Sequence, residues 1–465
     1  MCQKGNIRTK ILALVTILLF LLATGKSSYA SFTIQDEKKL GKEFYEKLKN
    51  KGLLIKNPKV NDYINKIGQN ILSHTNKSPF HFTFSVIKSS GINAFATPGG
   101  YIYVYEGLIK LVENESQLAG VLSHEMAHVK SRHIAQIIEK SQKLSLATLV
   151  AILAGAFLGG GGEGTAAIAS FSMATATTLN LKYSREHEEE ADRKGMSYLV
   201  STGYDGRAML NFLRIMRRYE FYSNSIPSYF LTHPGTSDRI RYLDGLLQTT
   251  YKKRGVKSIV GGLNRIKTIL ALNKEDLNSS LKYFQNELRE HPNDLNFTHG
   301  LAVIQCRMGQ TAESLKNFLW ALKQSPLDED ILRDLGICYF HAGNTKNAIK
   351  SLQKAYSINK DDPDVVLYLG KSYETLNNYS TSLDLYKRFL RNNPDNTNIY
   401  YNLAMAYGKT GNPGDSHYNF GIYFKKKNKP KSALFHFKAA LKYFPSDTDK
   451  RNKIKKEINS INHLL

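Results

Sequence analysis

QLAGVLSHEMAHVKSRH, residues 117–133, decides how this chain is read. His124, Glu125 and His128 spell HExxH within it. A helix turns about 100° per residue, so residues four apart share a face. His124 and His128 can therefore aim two imidazoles at one metal ion. Glu125 stands beside them, placed to take a proton from an attacking water. Leu118, Val121, Leu122, Ala127 and Val129 make the same helix apolar, so two histidines there need a reason. With 13 His in 465 residues, roughly 0.02 such motifs arise by chance. The bland alternative is two core histidines and a surface glutamate.

A hydrolytic zinc site normally takes three protein ligands and keeps one position open. The pattern HExxHxxGxxH fails here, because Ser131 and Ile134 stand where its glycine and third histidine belong. His133 follows His124 by nine residues, about 180° round a continuous helix, and is expected to face away from the metal. The better source is 183–195 (YSREHEEEADRKG), helical in composition and acidic. Glu188 and Asp192 are four apart, so one can bind metal while the other orients a ligand histidine. Spacing alone does not choose Glu188 over Glu186, Glu189 or Glu190, and a solvated acidic face is the ordinary reading of such a run.

Residues 1–30 read as a secretory signal: Lys4, Arg8 and Lys10, then an apolar core at 11–23, then Ser28-Tyr29-Ala30 for cleavage. The domain behind it is expected to be exported. Net charge is +24, spread along the chain without a dense block. That suits acidic partners or contact with an anionic membrane surface. No nucleic-acid reader motif appears, so nucleic acid is not expected as a partner. Cys2 leaves with the signal, and Cys306 and Cys338 could pair if adjacent helices bring them together, although two buried thiols are the preferred reading.

Residues 32–51 and 60–72 carry helical spacing, and 81–87 alternates as a strand. After the turn Pro98-Gly99-Gly100, the run 101–105 (YIYVY) is a second strand. Tyr101, Ile102 and Tyr103 are candidate substrate-binding residues if that strand offers an edge to peptide backbone. The alternative is a plain hairpin in the core. Residues 144–179 are apolar and broken by Gly159 to Gly162. They read as two short hydrophobic helices, either a movable cover over the metal or simple core packing.

Beyond residue 260 the chain repeats with period 34. Ala302, Gly336, Gly370 and Ala404 recur at that interval, and Gly309, Gly343, Asn377 and Gly411 follow each by seven. This is the tetratricopeptide pattern of stacked helix-turn-helix units, an α-solenoid with a concave face for partner proteins. Gly421, Phe437 and Ala440 restart it only 17 residues after Ala404, which predicts one helix standing as a half unit.

Four motifs occur in order: NAFATPGGYIYV, QLAGVLSHEMAHV, YSREHEEEAD and THPGTSDRI. Over residues 32–250 the chain resembles the zinc metalloendopeptidase family of HtpX and the CAAX prenyl protease. The repeats and the absence of a clear span in that core match its exported branch of beta-barrel assembly-enhancing proteases. The resemblance implies a mainly α chain with a zincin-like α+β protease domain of gluzincin type over 31–250 and tetratricopeptide repeats over 260–465. It implies one Zn(2+) per chain on His124, His128 and Glu188, with Glu125 as general base and Asp192 behind the ligands. It brings His233 of the H-P motif to the metal, to stabilise an oxyanion or to latch the site shut, and Arg239 with it. It implies a periplasmic endopeptidase acting on unfolded or misassembled exported polypeptides, with the outer-membrane assembly machinery as partner of the repeats. The competing reading is a largely latched chaperone or assembly adaptor. A membrane-associated protease would need a span near 144–179, which the glycine break opposes.

Overall fold

The computed structural model describes residues 32–140, 144–158, 181–222 and 228–462. The expected signal at 1–30 and the stretch 159–179 lie outside the described residues. The chain divides into two compact units after Ile266, slightly beyond the expected break at 250–260.

In the first unit, α1 (Ile34–Asn50) starts at a capping box in which Thr33 and Asp36 satisfy each other's backbone N–H. It buries Leu40, Phe44 and Leu48, spaced by one helical turn. Helix α2 (Pro58–Ser73) starts with the Asn57 side chain as cap and Pro58 at its first position. Three strands follow: β1 (Thr83–Ile87), β2 (Ala94–Thr97) and β3 (Tyr101–Tyr105). Their order is β1-β3-β2, with β1 parallel and β2 antiparallel to β3.

This order corrects the expected substrate edge. Tyr101, Ile102 and Tyr103 lie in the central strand, where both backbone edges are already paired. Ile102 and Tyr103 are wholly buried, and Tyr101 stacks on Tyr45. The outer edge of β2 pairs with no strand among the described residues.

Helix α3 (Glu106–Leu111) leads to α4 (Glu115–Lys130), the HExxH helix. Asn114 caps α4 by accepting from the Gln117 N–H. Every residue from Glu115 to Val129 is buried, so α4 is the axis of the unit. The Glu115 carboxylate anchors its first turn. It accepts from the backbone N–H groups of Ile259, Val260 and Gly261 at 2.7–2.8 Å and from the hydroxyls of Tyr63, Tyr204 and Ser258.

Helix α4 stops at Arg132, whose φ of 57° is left-handed. The turn starts α5 (His133–Glu139) in a new direction. Helix α6 (Leu146–Leu158) packs into the core with α1 and the sheet. Phe157 lies 4.4 Å from Phe95, nearly parallel to it, and its carbonyl accepts from Tyr105 Oη and Asn93 Nδ2. Burying such a ring contributes about 2–3 kcal/mol. The described half of 144–179 is therefore core. Helices α7 (Arg185–Ser201), α8 (Arg207–Tyr222), α9 (Ser228–Thr232) and α10 (Thr236–Thr249) complete the unit. No helix among the described residues is long and apolar enough to cross a membrane.

From Leu277 the second unit is a run of helices of 13–15 residues. The register jump after Ala404 leaves no half unit. The helix Pro413–Lys426 closes on its predecessor through Ser416 Oγ donating to Ala404 O, as Ser382 does to Gly370 O one repeat earlier. It also opens the next pair, because Gly421 faces the Phe437 ring where a Cβ would come within 2.5 Å. One helix serves two repeats. Cys306 and Cys338 form a disulfide with Cα atoms 5.9 Å apart. This corrects the reading of two free thiols, because neighbouring helices Leu295–Arg307 and Glu329–His341 bring them together.

Candidate metal centre

Helices α4 and α7 build the centre by approaching closely. Gly195 makes the approach fit, since a Cβ there would lie 3.0 Å from His124 Cα. Ser184 caps α7 by accepting from the His187 N–H. With that start, Glu188 and Asp192 face inward and are buried, whereas Glu186 and Glu189 are exposed. His233 arrives from the end of α9, where its N–H donates to Tyr229 O and its ring stacks on Tyr229 at 4.4 Å.

Donor atoms of His124, His128, Glu188 and His233 all lie within 4.8 Å of one another, and all four residues are buried. His124 Nε2 is 3.0 Å from His128 Nε2. His233 Nδ1 is 3.0 Å from Glu188 Oε1 and 3.4 Å from His124 Nε2. Three imidazole nitrogens and a carboxylate are a donor set for a divalent transition metal. Both Glu125 oxygens are buried without a hydrogen-bond partner, as is His233 Nε2. His233 Nε2 faces Glu125 Oε1 at 3.5 Å, too long for a good hydrogen bond, which leaves the buried carboxylate with capacity for a ligand beside the cluster. The residues fit a metal ion.

The surroundings set the charges. Burial raises the Glu125 carboxyl above its ordinary value, and the neighbouring histidines only partly oppose it. Burial acts on Glu188 the same way, but Arg239 and His233 override it and hold that carboxyl well below its usual range. Burial and Arg239 would lower His124, but its hydrogen bonds to Asp192 and Glu188 outweigh them and push it up to about 9. Burial drives His128 well down. Asp192 Oδ1 sits 2.9 Å from His124 Nδ1, so it orients that ring. Arg239 grips Asp192 with two 2.8 Å hydrogen bonds and lies 2.7 Å from Glu188 Oε2. Its place is behind the donors, which corrects its expectation as an oxyanion or regulatory group.

Sequence reasoning missed three residues. His133 does not face away: it is wholly buried, and its Nδ1 lies 2.8 Å from His128 Nδ1. The error was to run α4 on past Arg132. Tyr183 stacks on His128 at 3.8 Å, and Tyr229 supports His233. The aromatic residue opening YSREHEEEAD was the available signal for the first; Tyr229 had none.

Residues 58–247 match peptidase family M48. They are an M48 peptidase domain. Tetratricopeptide repeats match residues 299–363, 364–396 and 385–418. The chain is 35% identical over 218 residues to the putative beta-barrel assembly-enhancing protease of Vibrio cholerae, covering 46% of this chain and 45% of that one. It is 34% identical over 220 residues to the beta-barrel assembly-enhancing protease of Escherichia coli, with the same coverage. The mitochondrial metalloendopeptidase OMA1 of Schizosaccharomyces pombe is 29% identical over 192 residues, 41% of this chain and 54% of that one. The chain thus spans about half the length of the curated relatives it matches. Solved structures of MamA cover 34% of the chain at a TM-score of 0.31 and 18% identity. An M48 domain implies a metal ion, and the His-His-Glu-His cluster is where this one can hold it.

Proposed function

We propose that the protein is a zinc-dependent endopeptidase that His233 holds in a latched state. The observation that carries the reading is the convergence of His124, His128 and Glu188 beside the buried carboxylate of Glu125, whose oxygens accept no hydrogen bond among the described residues. Zn(2+) held by these three residues would supply a Lewis acid for the scissile carbonyl and acidify water. Glu125 takes the proton of the attacking water and delivers it to the leaving amine. Asp192 keeps His124 in the ligating orientation, and Arg239 fixes Asp192 and Glu188. Extended substrate backbone would pair with the outer edge of β2, whose Ala96 and Thr97 border the same cavity as His128 and Tyr183. A site that needs an extended strand favours unfolded or misassembled polypeptides over compact ones.

His233 Nδ1 points into the donor cluster, and that favours the latch over an oxyanion role. The names of the bacterial relatives support a place in beta-barrel assembly, with the assembly machinery docking on the repeats. The apolar segment at 11–23 supports export to the periplasm. The latched chaperone or adaptor remains the second reading, on the same His233 contact.

Proteolysis of unfolded casein by wild type, Glu125→Gln and His233→Ala, each with its metal content measured, tests the proposal. Activity should disappear in Glu125→Gln with zinc retained, and rise in His233→Ala. Zinc-loaded but inactive proteins in all three cases would favour the adaptor; a fall in His233→Ala alone would favour the oxyanion role.

A further inference from the structure

The side of His128 turned away from the donor cluster carries a second chain of contacts. His128 Nδ1 lies 2.8 Å from His133 Nδ1. His133 Nε2 lies 3.3 Å from Glu190 Oε2. Glu190 Oε1 in turn accepts from Lys194 Nζ at 2.5 Å and from Ser131 Oγ at 3.0 Å. His133 is wholly buried, and its ring stacks on His187 at 4.3 Å. The left-handed turn at Arg132 is what brings it there.

Chemistry fixes the direction of these bonds. An ionised carboxylate only accepts, so the hydrogen between His133 and Glu190 sits on His133 Nε2. Neutral His133 then has an acceptor at Nδ1. The hydrogen shared by the two Nδ1 atoms therefore belongs to His128. A neutral His128 with its hydrogen on Nδ1 presents a lone pair at Nε2, the atom that meets His124 and Glu188. A protonated His133 would instead set donor against donor.

We propose that His133 and Glu190 form a positioning relay that fixes the tautomer and ring orientation of His128 for metal binding. The proposal rests on the reading of His124, His128 and Glu188 as metal ligands. Each histidine ligand on α4 is then backed by a carboxylate: His124 directly by Asp192, His128 by Glu190 through one further imidazole. The two differ in setting, since Asp192 is fully buried and Glu190 is about a third exposed, 0% against 35% of the side chain. Outer partners of this kind typically change metal affinity by about 10–100-fold when removed.

The test measures zinc affinity of the full chain by competition with a chromophoric chelator, for wild type, His133→Phe, His133→Asn and Glu190→Gln. His133→Phe keeps the ring shape and loses the acceptor, and should weaken binding about 10–100-fold. His133→Asn offers a carbonyl near the Nδ1 position and should recover most of that loss. Glu190→Gln still accepts from His133 and should weaken binding less than His133→Phe does. A purely space-filling His133 would give the opposite order, with Phe tolerated and Asn not. Zinc-loaded wild type labelled with 15N-histidine gives a readout that needs no variant to fold: His128 must carry its hydrogen on Nδ1, and a hydrogen on Nε2 overturns the relay. A native His133→Phe with unchanged zinc affinity overturns the relay alone. Wild type that binds no zinc overturns the metal-site reading and the relay with it.

Discussion

The metal site of the first unit is a wholly buried charged cluster, whereas the repeats of the second close mainly on apolar side chains. His124, Glu125, Glu188, Asp192, His233 and Arg239 are all buried together in the first. In the second, Phe318 with Ala321, Tyr386 with Leu369, and Phe437 with Ala440 fill successive small cores. Asp294, Asp328 and Asp362 serve at helix starts, and the ion-pair cluster of Arg333 with Asp330, Asp334 and Asp362 is only part-buried. Stability in the repeats is thus spread over many similar contacts. In the M48 domain one network carries both the chemistry and a large electrostatic cost. Buried charges are tolerated only when every partner is present, so the two regions should answer substitution differently.

The largest effect should come from Arg239→Met. It leaves Asp192 and Glu188 as buried carboxylates without their guanidinium, at a cost of about 3–5 kcal/mol. Denaturant melts of the metal-free protein should show that loss in the first unit; an unchanged midpoint would erase the contrast. Next is Cys306→Ser, which opens a loop of 32 residues and should cost the repeats about 3–4 kcal/mol. Zinc content should stay unchanged, and a loss of zinc would contradict the separation drawn here.

The smallest effect sharpens the comparison with a carboxylate that does not bind metal. Burial raises Glu115, but the N–H groups of Ile259, Val260 and Gly261 and the Tyr204 hydroxyl hold it below its ordinary value of 4.5. Its stabilisation is therefore complete above that value and is lost as pH falls below it through the folded-state value. Glu115→Gln should cost about 2 kcal/mol at pH 7, and the gap to wild type should close on acidification. A gap that persists at low pH would mean that the hydrogen bonds do not depend on the carboxylate's charge.

What could be read from the sequence follows the same division. The repeats were legible because each position recurs at a fixed period. The pairing of Cys306 with Cys338 was readable from that period as well, since both sit on the first helix of successive repeats. HExxH was legible because its geometry is local to one helix. Glu188, His233 and Arg239 come from elements far along the chain, and the notion that they meet came only from the resemblance. His133 was misplaced because one left-handed residue, Arg132, redirects everything after it. The strand YIYVY was left open between an edge and a core hairpin because its residues state that a strand is apolar, not how many neighbours it has.

The central claim is that four side chains converge on one metal ion and that one of them, His233, is a removable latch. X-ray absorption at the zinc edge on wild type and His233→Ala tests it most directly. The account predicts one zinc per chain, bound in wild type by three imidazole nitrogens at about 2.0–2.1 Å and one carboxylate oxygen, with one imidazole lost in the variant. An identical imidazole count in the two proteins would contradict it.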